Sequence, residues 1–364
     1  DETRPDDLDF AGIYQDIEDR SIAGVLPRLR RFRTQMEIDI AGAFAVGNRT
    51  IEESVNHHSR LAEFCLERAS QEVFEKDREI LILAMGKFGG RELGFKSDLD
   101  CILIRPGGQE IPDEIFHRAA SLLVREMNVS TPDGYLYELD LRLRPYGKDG
   151  PLVPELNKVE EYYRSVGQTW ERLALTRARV VCGPDSLIEE FRSTVLSWVY
   201  REGLEPEEVE EIRRMRERIE KEKPKQILKA GPGGLLDVEF IAQTASLKWG
   251  KAHGIDSSNT CETLHRLAEK GLLPKSDVRA LTEGYVFLRD LENRLVLLGK
   301  EGSQGLPNDS ETLEWLVGCV NDAQKEKTDS FAWTPENLQE RDRHVRQLNR
   351  EIFESLFNET FSKP

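Results

Sequence analysis

The apolar positions of the chain fall into two rhythms. Up to about Glu75 they recur every three or four residues: Leu26, Leu29, Phe32, Met36 and Ile40 make one buried helical face. A second helix is predicted over Ile51–Val73, with Thr50 as its N-cap. Then the period shortens. Ile80–Met85 (ILILAM) is an unbroken apolar run closed by Gly86, Gly89 and Gly90, the texture of a buried strand. Asp98–Ile104 (DLDCILI) reads as a second strand, ended by Pro106-Gly107-Gly108. A helix over Glu114–Met127 leads into the turn Thr131-Pro132-Asp133-Gly134, after which Tyr135–Arg144 (YLYELDLRLR) alternates and predicts a third strand.

After Pro154 no comparable strand signal appears and the helical period returns. Val209, Ile212, Met215 and Ile219 mark a highly charged amphipathic helix, and Leu281, Tyr285, Leu288, Leu291 and Leu295 a long one. No internal repeat is present. The elements predict an α+β protein in three parts: N-terminal helices over 1–75, a small mixed-sheet unit over 76–155 and a helical bundle over 156–364.

Composition narrows the function classes. A chain of 364 residues with 38% hydrophobic and 32% charged residues suits a folded, helix-rich protein. Its formal charge of −16 repels a phosphate backbone, so no nucleic-acid partner is expected. The five cysteines are scattered, with no CxxC, and read as reduced thiols. There is no HExxH, and the adjacent His57-His58 pair reads as solvated surface. No apolar run reaches the roughly 18 residues of a membrane span and no signal-peptide pattern opens the chain, so the expected compartment is the cytoplasm, with no membrane contact. A start at Asp1 without Met reads as a piece of something longer.

The densest chemistry lies between Gly86 and Arg144. In a strand, residues two apart share a face. Asp98 and Asp100 therefore present both carboxylates to one side while Leu99 and Cys101 turn to the core. Two such charges repel unless a cation lies between them, and a hard divalent ion such as Mg²⁺ suits all-oxygen ligands and leaves room for phosphate. The third strand repeats the pattern: Tyr135, Tyr137, Leu139, Leu141 and Leu143 on one face, Glu138, Asp140, Arg142 and Arg144 on the other. Beside the second strand, Asp140 becomes the third acid of the cluster, and Arg142 and Arg144 are placed to grip phosphate oxygens. Upstream, Gly89-Gly90 lets the backbone approach a phosphate, Ser97 precedes the acids, and a helix starting near Arg91 would add its dipole. Each feature alone has an ordinary explanation as a turn or a wet strand face. Together they favour a phosphate-handling metal site.

In Gly89-Gly90, Ser97-Asp98-Leu99-Asp100 and Asp140 the chain resembles the polymerase-β-like nucleotidyltransferase superfamily. More specifically, GKFGGRELGFKSDLD (Gly86–Asp100), LYELDLRLRPYGKDGPLV (Leu136–Val153), TWERLALTRARVVCG (Thr169–Gly183) and KAGPGGLLDVEFIAQ (Lys229–Gln243) resemble, in order, the blocks of the bifunctional glutamine synthetase adenylyltransferase/adenylyl-removing enzymes. Phe88 stands where that family usually has Leu. The resemblance implies a polymerase-β-like unit followed by a helical bundle, and a metal-dependent transfer of AMP from ATP to a tyrosine of glutamine synthetase, in the regulation of nitrogen assimilation. It implies Mg²⁺ on Asp98, Asp100 and Asp140, with Asp140 positioning or deprotonating the attacking oxygen. Terminal phosphates would rest on Gly89, Gly90 and Ser97, helped by Arg142 and Arg144. A PII-type regulatory protein and glutamine are the implied effectors.

Members of that family carry two such halves, and this chain has one SDLD block, so it reads as one half or a single-domain relative. Leu29-Arg30-Arg31-Phe32-Arg33, Gly150–Val153 and Leu291–Arg294 lean toward the removing half, which phosphorolyses AMP-tyrosine with phosphate and releases ADP. Thr169–Gly183 and Ile212–Arg218 lean toward the attaching half. A small-molecule acceptor and a catalytically silent regulatory module are the remaining alternatives; the four blocks oppose the first and the three acids the second. In the Lys229–Gln243 block, Asp237 and Glu239 are two apart, so a helix cannot aim both at one point. A helix start with a packing face explains them as well as a nucleotide lid does. Trp170-Glu171-Arg172 and Arg177/Arg179 read as a buried aromatic with ion-paired neighbours.

Overall fold

The computed structural model describes residues 8–16, 24–74, 79–108, 110–201, 203–222, 227–300, 305–307, 309–323 and 332–362. In chain order the elements are α1 (Phe10–Asp16), α2 (Val25–Ala45), α3 (Ile51–Val73), β1 (Leu81–Ala84), a single helical turn α4 (Gly86–Gly89), β2 (Leu99–Ile104), α5 (Asp113–Asn128), β3 (Leu139–Asp140), α6 (Leu156–Val166), α7 (Thr169–Leu175), β4 (Arg179–Cys182) and α8 (Asp185–Phe191). There follow α9 (Ser197–Val199), α10 (Pro206–Lys221), α11 (Leu235–His253), α12 (Thr260–Glu269), α13 (Lys275–Leu297), α14 (Ser310–Asp322) and α15 (Pro335–Ser355). The fold is α+β, with one small mixed sheet and a majority of helix. No helix among the described residues is long and apolar enough to cross a membrane.

The described residues form two compact units. The first draws on Asp1–Ala41, Glu53–Gln168 and Arg177–Trp198, and the second on Gly42–Glu52, Thr169–Thr176 and Val199–Pro364.

The first unit holds the sheet, in the order β3-β2-β1-β4. β1 runs antiparallel to β2, with Leu81 opposite Ile104 and Ala84 opposite Cys101. All four residues of β1 are fully buried, which is why this strand reads as an unbroken apolar run rather than an alternation. β2 and β3 are parallel, with Leu99 opposite Leu139 and Asp100 opposite Asp140. α2 and α3 form as the spacing predicts: Leu29, Phe32, Met36 and Ile40 are all buried, and α3 begins directly after Thr50.

Four sequence expectations need correction. The third strand is not ten residues long but two. Tyr137, before it, donates its N–H to the Met127 carbonyl, and Leu139, its first residue, to the Asn128 side chain, so these amides leave the ladder. After it, the Arg142 N–H turns back onto Asp140 Oδ1 at 2.8 Å and ends the strand. Secondly, a strand does follow Pro154: β4 (RVVC) pairs antiparallel with β1, the ladder shifting between Ile82 and Leu83. At four half-buried residues it is too short to show alternation, though two adjacent valines closed by Gly183-Pro184 are its signal. Thirdly, no helix starts at Arg91; the helical turn precedes it, and Arg91 itself has φ +54°. Fourthly, His57 and His58 are both buried, because α3 is covered on most of its circumference between Ser54 and Leu66.

The second unit is helical. Leu281, Tyr285, Leu288, Leu291 and Leu295 are buried along α13, as the periodicity predicts. On α10 the buried positions are Val209, Ile212 and, unexpectedly, Arg216 in place of Met215. In α7 it is Arg172 that is fully buried, its Nη1 on Glu208 at 3.0 Å and its Nε on the Val199 carbonyl, while Trp170 is exposed. The long aliphatic stem of arginine packs like a hydrophobe wherever its head finds acceptors.

Candidate active site

The site is built at one end of β1 and β2. The Met85 N–H donates to the Asp100 carbonyl at 2.8 Å and closes the ladder, and at Gly86 the chain then leaves the sheet with φ +53°. A Cβ at Gly86 would stand 2.8 Å from Asp100 Oδ2, so the glycine makes room for that carboxylate as well as for the turn. From the sequence Gly86 reads only as the close of an apolar run, with no role at the acids.

Gly89 and Gly90 lie at the C-terminal end of α4, and their amides are committed inside the turn: Gly89 N–H to the Met85 carbonyl at 2.8 Å, Gly90 N–H to the Gly86 carbonyl at 3.2 Å. The physical demand on Gly89 is close packing, since a Cβ there would sit 1.9 Å from the Arg177 carbonyl oxygen. The geometry thus gives these glycines a backbone role where the sequence suggested a phosphate cradle.

From Arg91 to Ser97 the chain is an irregular loop tied to its surroundings at several points. Glu92 is buried and paired with Arg177, whose Nε donates to the Gly86 carbonyl at 2.9 Å. Leu93 donates its N–H to Ser59 Oγ at 3.0 Å, and its carbonyl lies 3.3 Å from His58 Nδ1. The His58 ring is stacked on Phe95. Burial, and then the nearby Arg33 charge, lower the His58 pKa to about 4, so the imidazole is neutral and its Nδ1–H is the donor to Leu93. Arg179 reaches the carbonyls of Phe88 and Gly89 and pairs with Glu63, so both arginines of the Arg177/Arg179 pair are ion-paired as expected. These tethers fix the loop that delivers Ser97 and Asp98.

From Asp98 into β2 the burial alternates as far as Cys101: Asp98 exposed, Leu99 buried, Asp100 half-buried, Cys101 buried. The parallel register sets Asp140 beside Asp100. Asp98, Asp100 and Asp140 each offer a carboxylate oxygen, and these oxygens all lie within 4.8 Å of one another. A hard divalent cation would compensate three like charges this close, and the donor set is all oxygen, as Mg²⁺ requires. The residues fit such an ion.

Of the two arginines, Arg142 belongs to the cluster. Its Nε donates to Asp140 Oδ2 at 2.6 Å, and its exposed guanidinium is held in the charged form by that hydrogen bond and by the fields of Asp98 and Asp100. Burial works against the Asp140 charge, but the bonds from the Arg142 side chain and backbone outweigh it and hold the carboxyl below its ordinary pKa. Arg144 points elsewhere. It is buried and donates to the carbonyls of Leu141 (2.7 Å), Gly150 (3.1 Å) and Lys148 (3.2 Å). Because the strand ends at Asp140, the expected shared face does not extend that far.

In the second unit Asp237 and Glu239 diverge, as their spacing requires. Asp237 accepts from the Gly233 N–H at 2.8 Å and pairs with Arg216 and Arg350, while Glu239 accepts from the Tyr285 hydroxyl at 3.1 Å. Both acids are buried and engaged within the helices.

Comparison with known families bears on this geometry. Residues 207–353 match the model of the GlnD PII-uridylyltransferase family. Residues 11–194 match that of glutamate-ammonia ligase adenylyltransferase, a span that takes in all four strands, the three aspartates and the loop tethered by His58 and Arg177. That match covers half of the chain, and with it the chain belongs to the glutamate-ammonia ligase adenylyltransferase family and is an enzyme of nucleotidyltransferase type.

Proposed function

We propose that the chain transfers AMP from ATP to a tyrosine hydroxyl of glutamine synthetase, in the cytoplasm, using Mg²⁺. The observation that carries this reading is the convergence of the Asp98, Asp100 and Asp140 oxygens within 4.8 Å in a member of this family. In the reaction the tyrosine oxygen forms a bond to the α-phosphorus of ATP, the α–β phosphoanhydride bond breaks, and pyrophosphate leaves with its electron pair. Asp98, Asp100 and Asp140 would hold the divalent ions, which when bound supply charge stabilisation to the attacking and leaving oxygens.

The residues of the chain divide the remaining work. Asp140, whose two oxygens also accept from Arg142, would position the attacking oxygen or take its proton. Arg142, exposed beside the triad, and Ser97, directly before it, are the side chains we assign to the phosphates. The backbone tethers of Arg177, Ser59 and His58 keep Asp98 in register with Asp100. The match of residues 207–353 to a family named for PII supports a regulatory role for the helical unit, with a PII-type protein and glutamine as effectors.

The test is incubation with glutamine synthetase in both forms, followed by intact mass. The unmodified form receives Mg·ATP and is expected to gain one AMP per subunit. The AMP-modified form receives Mg²⁺ and phosphate; if that form alone changes, losing AMP as ADP, the chain is the removing half. Asp98→Ala is the control, and a variant as active as its parent would sink the catalytic assignment.

A further inference from the structure

Tyr146 occupies a backbone position that suits glycine. The Gly147 N–H donates to the Arg144 carbonyl at 2.8 Å and closes a four-residue turn with Pro145 and Tyr146 at its centre. Tyr146 has φ +61° and ψ 10°, the second central place of a type II turn. A side chain there crowds its own backbone, and the glycine of this sequence, Gly147, falls one place later. Among the described residues Arg91, Lys96 and Tyr146 are the non-glycine positions with positive φ. Strain of this kind persists where the surroundings over-determine it.

Here the surroundings do so. The buried Arg144 guanidinium gathers the carbonyls of Leu141, Lys148 and Gly150, so the loop that starts next to Asp140 is wound round one side chain. A Cβ at Gly150 would lie 2.1 Å from the Pro145 carbonyl, which seals the loop from its other end. The Tyr146 ring nevertheless faces out and is 61% exposed. It rests edge-on against Tyr162, with centroids 4.5 Å apart; Tyr162 contacts Tyr163, and Tyr163 stacks on Trp198. Tyr146 is thus the outermost ring of a rigid aromatic stack rooted in a buried tyrosine, with exposed Arg142 and Lys148 in the same loop.

An outward tyrosine on a preorganised loop has the make-up of a protein-binding hot spot. We infer that Tyr146 is a docking contact for the protein acceptor, packing against the acceptor surface next to the modified tyrosine, with exposed Lys148 of the same loop beside it. The inference rests on the adenylyl-transfer reading, in which Asp140 faces the attacking oxygen; the loop that continues from Asp140 then lies on the acceptor side of the site.

The test compares the parent with Tyr146→Ala, Tyr146→Gly and Tyr146→Phe, measuring binding of glutamine synthetase, its KM, binding of Mg·ATP and the melting temperature. The ring is exposed, so the variants fold, and Gly relieves the positive φ. The expected result is that Ala and Gly weaken glutamine synthetase binding roughly tenfold or more and raise its KM in step, with Mg·ATP binding unchanged, while Phe stays near the parent. Tyr146→Gly should also melt higher than the parent, a gain in stability with a loss of recognition that a merely structural residue does not give. Unchanged glutamine synthetase affinity in Ala and Gly overturns the inference. So does a loss that falls on Mg·ATP instead, which would make the ring a stacking surface for the nucleobase. A parent that neither binds nor modifies glutamine synthetase sinks the functional reading and this inference with it, and shows itself before any variant is made.

Discussion

Arg142 grips Asp140 from two sides at once: its backbone N–H reaches Oδ1 at 2.8 Å and its Nε reaches Oδ2 at 2.6 Å. The same carboxylate is one of three whose oxygens converge within 4.8 Å. Arg142 therefore does for Asp140 part of what a divalent ion does for the whole triad, and the two compete for one group. Replacing Arg142 with Ala removes the competitor and deepens the negative potential. Divalent-ion binding, read by calorimetry, should tighten severalfold, whereas turnover should fall because a cation beside the phosphates is gone. Asp98→Ala and Asp100→Ala should act oppositely on ion binding, abolishing the rise in melting temperature that Mg²⁺ or Mn²⁺ gives the parent, and should abolish turnover as well. Weaker ion binding in the Arg142 variant would show that the arginine organises the acids instead of competing for them.

Gly86 and Gly89, three residues apart in one helical turn, should fail in different ways. At Gly89 an added Cβ lands 1.9 Å from the backbone oxygen of Arg177, which cannot move without shifting β4, so Gly89→Ala should cost roughly 3 kcal/mol or more. At Gly86 the Cβ meets only the tip of the Asp100 side chain at 2.8 Å, with φ +53° adding about 1 kcal/mol of strain. Gly86→Ala should stay folded and lose activity because Asp100 is pushed out of the cluster. Chemical denaturation and turnover measured on both variants check this; equal stability losses would refute the distinction.

What the sequence made legible, and what it hid, follows from how far each signal reaches along the chain. The Asp98/Asp100 pair was legible because a strand's two-residue period is local, and the apolar partners Leu99 and Cys101 confirmed which face was which. Asp140 was found by alternation, yet the same alternation overran. Nothing in YLYELDLRLR marks the residue at which Asp140 turns back to its own neighbour's N–H and ends the strand. Arg144 was misplaced for that reason alone. Gly89-Gly90 was legible as glycine-requiring but not as to why. The group that demands Gly89 is the Arg177 carbonyl, 88 positions away, brought there by the pairing of β4 with β1. His58 hid behind polarity: a histidine pair on a helix looks solvated until the helix is known to be covered on most sides.

His58 makes stability depend on pH. Its pKa is lowered to about 4 by burial first and by the Arg33 charge second, while in the unfolded chain it returns to its ordinary value near 6.5. Between those values the unfolded chain binds the extra proton, so the contribution of His58 is complete above about pH 6.5 and is lost as pH falls toward 4. Between about pH 7.5 and about pH 5 that loss amounts to about 2 kcal/mol. Arg33 and Glu37 face the same ring, Glu37 Oε1 lying 3.6 Å from Nε2; burial raises the Glu37 pKa, which acts in the opposite sense and is common to the parent and the His58 variant. His58→Gln, which can still donate toward the Leu93 carbonyl, should lose about that much less than the parent over the same interval in urea melts at the two pH values. Parallel losses in the two proteins would place the acid sensitivity elsewhere.

Arg216 and Asp237 set the cost of disturbing the helical unit. Both are fully buried; Arg216 Nη2 lies 2.5 Å from Asp237 Oδ1 and donates to the Gly231 carbonyl, and Asp237 accepts from the Gly233 N–H. Two charges taken out of water gain little net stability as a pair, but either one left alone is expensive. Arg216→Met should therefore cost about 3–5 kcal/mol, because it strands a carboxylate that Arg350 reaches only at 3.3 Å. Adding Asp237→Asn should recover much of that loss. The amide carries no charge and its oxygen still accepts from Gly233, so the turn at the start of α11 is kept. The check is a double-mutant cycle read by denaturation, with hydrogen exchange of the α11 amides as the local probe. A double variant weaker than Arg216→Met alone would mean that the Asp237 charge is worth more to the Gly233 amide and Arg350 than it costs when buried.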